Sequence, residues 1–547
     1  MICFDNREFF FFAAWVSCKP MNMHASDRFL LLFVLELVCK KPATILFARC
    51  KTVITHSLLH TGITHMSNTW QIFCLGTNNW QGGGEFAPGS GILHEGHHES
   101  LRALPNVTGC FSMWPSRNQR SNPDRKDYRV FALEHDIPIC ESISPVSSYR
   151  WHSMSEEEFN AYRTRLANEV EAFINETETE TGIAFNLFIA HHSFVNPTVM
   201  VEINRRRTSA GKPRVPVVVF AHGTALKMYQ NELKKSDEYP LRFYPWIQQQ
   251  KIFDASAGNV DGVFVIAHAQ HAIFNSLFPE FDATRVVVAP NGYNQKIFHK
   301  VVDATPATVF VKESLPAKYY ASIAEELAEQ GAETVANVTS TQANGIPTAK
   351  FDRLILFTGK FADWKRLDVM LKAAAKYRAA GLEKGISIGT LIAGGGPPED
   401  ELLYKRLAYV ELKAAEHVFF LGPLGQDLLT RVNTVVDLGV FPSKDEPFGL
   451  VFIECMACGT PVLGARSGGP IDFVTDAVGA LIEEHADHDV LAQRFADKVV
   501  EVTVEQNWKV TKGADCVKYA MENFSLKAQC AQILDSVWTT FLGKAKL

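Results

Sequence analysis

The chain has 547 residues, 47% of them hydrophobic and 21% charged, with a net charge of -6. That length exceeds what one hydrophobic core fills, so two large domains are expected, and the ordinary apolar content excludes a mainly disordered chain. The balance is slightly acidic, with short basic clusters such as Arg205 to Arg207 and Lys234 with Lys235, so nucleic acid is not an expected partner.

Two short apolar runs come first, FFFFAAWVSC at 9–18 and FLLLFVLELVC at 29–39. Each falls below the roughly 18 residues that a spanning helix needs. Asp5 and Glu8 stand where a signal peptide wants positive charge, with only Arg7 against them. Residues 1–65 are therefore read as lying outside the fold, with an anchor or uncleaved signal as the alternative. The expected location is cytoplasmic, peripheral to a membrane if these runs anchor the chain.

From Trp70 onward the pattern is apolar strand, turn, amphipathic helix, repeated. This predicts an α/β protein with parallel sheets covered by helices on both faces. Strands are expected at WQIFCLG (70–76), FNLFIAHH (185–192), VPVVVFAHG (215–223), GVFVIAH (262–268) and RVVVAPNG (285–292). The first leads into a glycine loop, Gly82, Gly83 and Gly84. Ser155 with Glu158 forms a capping-box signature that opens a helix over 155–179. The stretch 301–350, rich in Ala, Thr and Glu, reads as a linker carrying an insertion. Strands resume at LILFTGK (354–360), IGTLIAGGG (388–396), HVFFLGP (417–423), LGVFPS (438–443) and TPVLGA (460–465). The expected architecture is two Rossmann-like doubly wound halves facing a cleft.

The eleven cysteines form no framework, and Cys455 with Cys458 has CxxC spacing but no second pair, so small packing residues on a helix are the better reading. Four sequons, at Asn106, Asn175, Asn337 and Asn523, carry no weight without a secretory signal. No His/Cys cluster with ligand spacing and no Walker loop occur, so neither a metal nor another cofactor is expected.

Three features carry chemistry. Gly359 and Lys360 end a strand, and Lys365 with Arg366 opens the next helix, where cations, backbone N–H groups and the helix dipole together favour an anion. A solvated helix start with surface lysines is the plain alternative. Glu446, on the loop after LGVFPS, and Glu454, in the following helix, can both face the crevice at the carboxyl ends of the strands. Carboxylates there suit vicinal hydroxyls, Glu454 a ribose and Glu446 a hexose, while Gly449 lets the amides of Phe448 and Leu450 come close. The Gly82–Gly84 run, with Gly83 and Gly84 as donor-binding candidates, is in the right context for a backbone against a phosphate or sugar.

These segments together resemble the family 4 retaining glycosyltransferases of GT-B fold, collinearly from about Trp70 to Phe541. GKFADWKRLDVMLKA, LIAGGGPPEDEL, FFLGPL and FPSKDEPFGLVFIECMACGTPVLGARSGGPIDFV carry the resemblance most specifically. FIAHHSF, VFAHGTALKM, GVFVIAH and APNGYNQKIF resemble its N-terminal elements more loosely. Departures are Lys360 for Arg, Asn294 for Asp, His268 for Ser and Asp472 for Glu.

The resemblance implies an acceptor domain at 66–300, a nucleotide-sugar domain at 351–524, and a helix at 525–547 that crosses back onto the first domain. It implies UDP-glucose or GDP-mannose as donor, an acceptor of sugar, lipid or small-molecule type, and metal-free retention. Lys360 and Lys365 would then stabilise the leaving diphosphate, Glu446 would orient the hexose, and His222 would lie near the donor sugar. A phosphorylase or disaccharide synthase on the same fold, and an inactive scaffold protein, are the rival readings.

Overall fold

The computed structural model describes residues 69–80, 89–116, 119–133, 155–193, 195–223, 251–254, 258–304 and 350–543, with 226 and 230. The readings made for residues 1–65 and for Gly82 to Gly84 lie outside the described residues, as does nearly all of 301–350.

The strands of the first half are β1 (Trp70–Leu75), β2 (Val107–Ser116), β3 (Tyr128–Ala132), β4 (Leu187–His191), β5 (Val217–Ala221), β6 (Gly262–Val265) and β7 (Val286–Val288). Every residue of β1, β4, β5 and β6 is buried, so the sheet they form has to be covered on both faces. Helices α1 (Gly89–Arg102), α2 (Glu156–Thr181), α3 (Val195–Ser209) and α4 (His268–Leu277) help to cover it. The strands pair in parallel in the order β3-β2-β1-β4-β5-β6-β7.

Side chains alternate across that sheet. Phe73 and Leu75 enter a core with Phe159, Leu166, Val170 and Phe173 of α2. Ile72 and Cys74 face the opposite core, with Leu93 and Leu101 of α1. The predicted capping box opens α2: Ser155 Oγ accepts from the Glu158 amide at 3.1 Å, and Glu158 Oε2 accepts from the Ser155 amide at 2.8 Å.

The second half repeats the scheme with β8 (Arg353–Thr358), α5 (Leu367–Glu383), β9 (Ile388–Ala393), α6 (Pro398–Arg406), β10 (Val418–Gly422), α7 (Gln426–Val435), β11 (Leu438–Phe441), α8 (Leu450–Ala457), β12 (Val462–Ala465) and β13 (Gly479–Ile482). Its order is β10-β9-β8-β11-β12-β13, again all parallel. Three strands escaped the sequence reading. β3 is the edge strand with β2 beside it, and β2 (VTGCFSMWPS) mixes Gly, Ser and Pro into its apolar residues, so it shows neither a clean run nor alternation. β13 is only four residues long.

After α9 (His488–Val500), α10 (Trp508–Phe524) and α11 (Leu526–Ser536), the chain lies on the first half. Trp538 packs edge-on against Trp70, Phe541 lies against Phe264, and on either side of Ser525 the Tyr293 amide donates to the Phe524 carbonyl while the Tyr293 carbonyl accepts from the Leu526 amide. Cys455 within α8 and Cys458 at its end are buried free thiols, as expected of packing residues. Among the described residues, no helix is long and apolar enough to cross a membrane.

Gln529, on α11, fastens this return. Its side chain donates to the Pro290 carbonyl at 2.6 Å, accepts from the Gly292 amide at 2.8 Å, and meets His97 Nε2 at 2.9 Å. Replacing it by Leu strands all three groups in a buried setting. Gln529→Leu is expected to lose about 2–4 kcal/mol in urea denaturation; a loss below about 0.5 kcal/mol would show that the return is held by apolar packing alone.

Candidate functional site

In the second sheet the strand order reverses between β8 and β11, so the loops leaving their carboxyl ends diverge and open a crevice. One wall comes from the β8 loop: Gly359, Lys360, Trp364 and Lys365. Another is Glu446 to Val451, running from the β11 loop into α8. The first half closes the cavity, about 340 Å³, with Ser90 and Leu93 of α1, His222 after β5, Ile266 after β6, and Asn291.

Eight residues singled out from the sequence thus meet: His222, Gly359, Lys360, Lys365, Glu446, Phe448, Gly449 and Leu450. Arg366 does not line the cavity. It adopts a left-handed backbone (φ 52°) as the N-cap of α5, and its buried guanidinium turns to Glu484 at 2.7 Å. Glu454 sits further along α8, half-buried, without a hydrogen bond or ion pair among the described residues, and is not part of the lining. Gly83 and Gly84 lie outside the described residues.

Lys365 Nζ lies 2.5 Å from Glu446 Oε2, and both side chains are buried. The ammonium also stands 4.4 Å from the centre of the Trp364 ring, a cation–π contact. Their loops are tied by the main chain too, because the Lys444 amide donates to the Trp364 carbonyl at 2.7 Å. Behind Glu446, the Gly469 amide donates to its carbonyl at 2.7 Å. Gly468 passes so close that a Cβ there would fall 2.3 Å from that oxygen. The SGG segment 467–469 is therefore the backing of the Glu446 loop, and the Ser467 hydroxyl accepts from the Asp445 amide at 2.8 Å.

Burial pushes the Glu454 carboxyl up to about 7. On the facing side lies a histidine cluster. His191 Nδ1 meets His222 Nε2 at 3.0 Å, the ring of His94 is 4.5 Å from that of His191, and that of His192 is 4.6 Å from that of His222. Burial lowers all of them: His97 and His192 to about 4, and His94, His191 and His222 well below 6.5. The wall is neutral at pH 7.

His98, Glu99 and Asp127 are, among the described residues, the group whose ligand atoms lie close enough to hold a metal. Their chemistry points elsewhere. Asp127 already pairs with Arg102, Arg125 and His98, and although burial opposes charge on His98, its bond to Asp127 raises it to about 9, where it has no free lone pair. This knot buttresses α1 against β3.

Sequence reasoning missed Ser90, Leu93, Ile266, Asn291 and Trp364. Asn291 stands in the PNG run, Ile266 in the strand GVFVIAH and Trp364 beside Lys365, so all three neighbour residues whose pattern the sequence displays. Ser90 and Leu93 lie on a helix whose sequence, GSGILHEGHHESLR, has little apolar periodicity.

Two outcomes follow from these environments. Lys365→Met leaves the Glu446 carboxylate buried and unpaired and is expected to lose about 3 kcal/mol in denaturant titration, while Lys365→Met with Glu446→Gln regains most of it. Equal losses in both would mean that Glu446 finds another partner. Separately, the unfolded chain takes up protons on His94, His97, His191, His192 and His222 below pH 6.5, whereas the folded chain does not until about pH 4 for His97 and His192. Their contribution is complete above pH 6.5 and falls as pH drops, by up to about 1.4 kcal/mol per unit for each ring. His417, also lowered to about 4 by burial, adds to this, while Glu454, raised to about 7, and Asp437, raised by burial, act in the opposite sense. Urea midpoints should decline between pH 6.5 and 4, less so in His97→Asn; a flat profile would contradict neutral burial.

Residues 340–503 match the family described as glycosyl transferases group 1. Among curated relatives, the D-inositol 3-phosphate glycosyltransferase of Corynebacterium glutamicum is 31% identical over 192 residues, 35% of this chain and 43% of the relative. That of Mycolicibacterium smegmatis is 38% identical over 163 residues, 29% of this chain and 34% of the relative. The chain thus spans less than half the length of these relatives. In fold it is similar to sucrose-phosphate synthase from Thermosynechococcus elongatus, with a TM-score of 0.54 and 18% identity, covering 86% of this chain and all of that one. A glycosyltransferase from Rickettsia africae gives 0.51 and 14%, covering 86% and 97%. With two parallel Rossmann-like sheets around the crevice, the chain has the GT-B architecture, and its residues 340–503 match the glycosyl transferases group 1 family.

Proposed function

We propose that this protein transfers a hexosyl group from a nucleotide-diphosphate sugar, UDP-glucose or GDP-mannose in type, to an acceptor hydroxyl, retaining the anomeric configuration without a metal. The observation that carries the reading is the buried Lys365–Glu446 pair at the strand-order reversal, beside Lys360 and the glycine that opens α8.

The two side chains satisfy each other. A diphosphate entering beside them offers Lys365 a new anionic partner, and the released Glu446 is then free to accept from a hexose hydroxyl. Lys360 and Lys365 stabilise the charge that grows on the leaving diphosphate as the bond from the anomeric carbon to phosphate oxygen breaks. The acceptor oxygen bonds to the same face of that carbon, and its proton passes to the departing diphosphate, so the products are the glycoside and the nucleoside diphosphate. Glu454 accepts from the ribose hydroxyls when ionised. The acceptor lies against Ser90, His222 and Asn291, whose uncharged hydrogen-bonding groups suit a sugar or polyol hydroxyl. This polyol class agrees with the relatives' names, which specify D-inositol 3-phosphate for those proteins.

Calorimetric and thermal-shift titration of the full chain with UDP-glucose and GDP-mannose tests the reading. One of them should bind, with an affinity that falls by up to about tenfold per pH unit below 7 as Glu454 takes up its proton. Glu454→Gln should weaken binding at pH 8 and remove the pH dependence, and Lys365→Ala should lower turnover more than affinity. Binding of neither sugar nucleotide would sink the transferase reading in favour of a scaffold.

A further inference from the structure

Two imidazoles at the carboxyl end of the first sheet meet edge to edge. His191 ends β4, and His222 follows β5, whose Phe220 is in register with His191. Nδ1 of His191 and Nε2 of His222 are 3.0 Å apart, the ring planes are within 13°, and the centroids are 5.2 Å apart. That centroid separation is close to the contact distance plus two ring radii, so the rings are nearly coplanar and the contact lies along N–H and lone-pair directions.

Both rings are neutral at pH 7, so each carries one N–H and the contact can be made in two ways. If His222 donates from Nε2, His191 has to carry its own proton on its Nε2, which is buried and has no partner. If His191 donates from Nδ1, that same Nε2 is only a bare lone pair. A buried N–H without an acceptor is the costlier and rarer defect. Turned over, the ring would present a carbon instead of Nδ1 to His222 Nε2 and forfeit the 3.0 Å contact. Its main chain is pinned by Asn196, which donates to the His191 carbonyl at 2.9 Å and to the Leu75 carbonyl and Thr77 Oγ1 at 3.0 Å.

We propose that His191 is a positioning residue that fixes His222 in the tautomer with Nδ1–H toward the cleft, making His222 a hydrogen-bond donor to a substrate oxygen instead of a base. His222 lines the cleft, and its Nδ1 has no hydrogen bond among the described residues. The inference rests on reading that cleft as the transfer site, and it fits a reaction in which the diphosphate, not a side chain, takes the acceptor proton. Sequence could not supply it, since adjacent His191 and His192 are indistinguishable until the strand register turns the first toward His222.

The test uses the full chain with ¹⁵N-labelled histidine and two-bond proton–nitrogen correlation at pH 7.5, the His222 pattern being identified by its loss in His222→Asn. Protonated Nδ1 and bare Nε2 on His222 are expected; the reverse pattern overturns the proposal. His191→Asn, whose amide can donate from nearly the same place, should keep that pattern. Folded His191→Leu should shift it toward Nε2–H, and an unchanged pattern there would count against a positioning role. With UDP-glucose as probe and released UDP as readout, His191→Leu should turn over roughly tenfold more slowly than wild type, whereas His191→Asn should stay within about threefold. Equal rates for wild type and folded His191→Leu would overturn the role. No turnover of UDP-glucose by wild type would count against the transferase reading, and the tautomer alone would then decide this one.

Discussion

The Lys365–Glu446 contact is where the second sheet's topology becomes a site. An order reversal alone gives two diverging loops, and diverging loops have no reason to keep a fixed distance. A buried ammonium and a buried carboxylate 2.5 Å apart supply one, because neither charge tolerates losing its partner in that setting. The main-chain bond from Lys444 to Trp364 and the close passage of Gly468 behind Glu446 make the arrangement stiff on both sides. Such a pair contributes little net stability compared with an apolar contact of the same size. Its presence is consistent with the binding roles proposed above for the two side chains, one toward an anion and one toward hydroxyls.

Charge is divided unevenly across the cleft. Lys360, Lys365 and Glu446 come from the second half, while the residues lining the cavity from the first half are Ser90, Leu93, His222, Ile266 and Asn291. Burial of the histidine cluster sharpens this contrast, since imidazoles in water would be partly cationic near pH 6.5 and these are not. An anion therefore meets its cationic partners on one side only. The opposite side offers dipoles without net charge, which suit a neutral hydroxyl better than an anion.

The second half was far more legible in the sequence than the first, for physical reasons. A diphosphate site needs glycines, cations and carboxylates at short spacings along one loop, and GKFADWKR and KDEPFGLVFIE display them locally. The contacts of the first half are long-range: His191 with His222, Trp80 stacked on Trp114, Gln529 with His97. Single-sequence patterns do not encode such pairs. Arg366 shows the opposite limit. Its position beside Lys365 suggested a shared role, but its left-handed backbone turns the side chain to Glu484, and adjacency in sequence did not become adjacency in space. The strands β2 and β3 were hidden because the outer part of the sheet is less fully buried, so polar and small residues interrupt the apolar run.

The C-terminal return does more than cover a core. Gln529 binds the carbonyl of Pro290 and the amide of Gly292, the two neighbours of Asn291, so a helix at the end of the chain sets the backbone of a cleft residue. Asn291 is buried with its Oδ1 unpartnered, a condition that ordinarily costs about 1–3 kcal/mol and persists where a ligand or water supplies the missing donor. The same Gln529 meets His97, which packs on His191, which bonds to His222. Both polar groups that the first half offers beside Ser90 are thus braced by one amide from the far end of the sequence. The order in which the chain folds then has a consequence: the second half can form its ion pair from residues of its own, whereas the neutral wall is complete only when the last helix has docked.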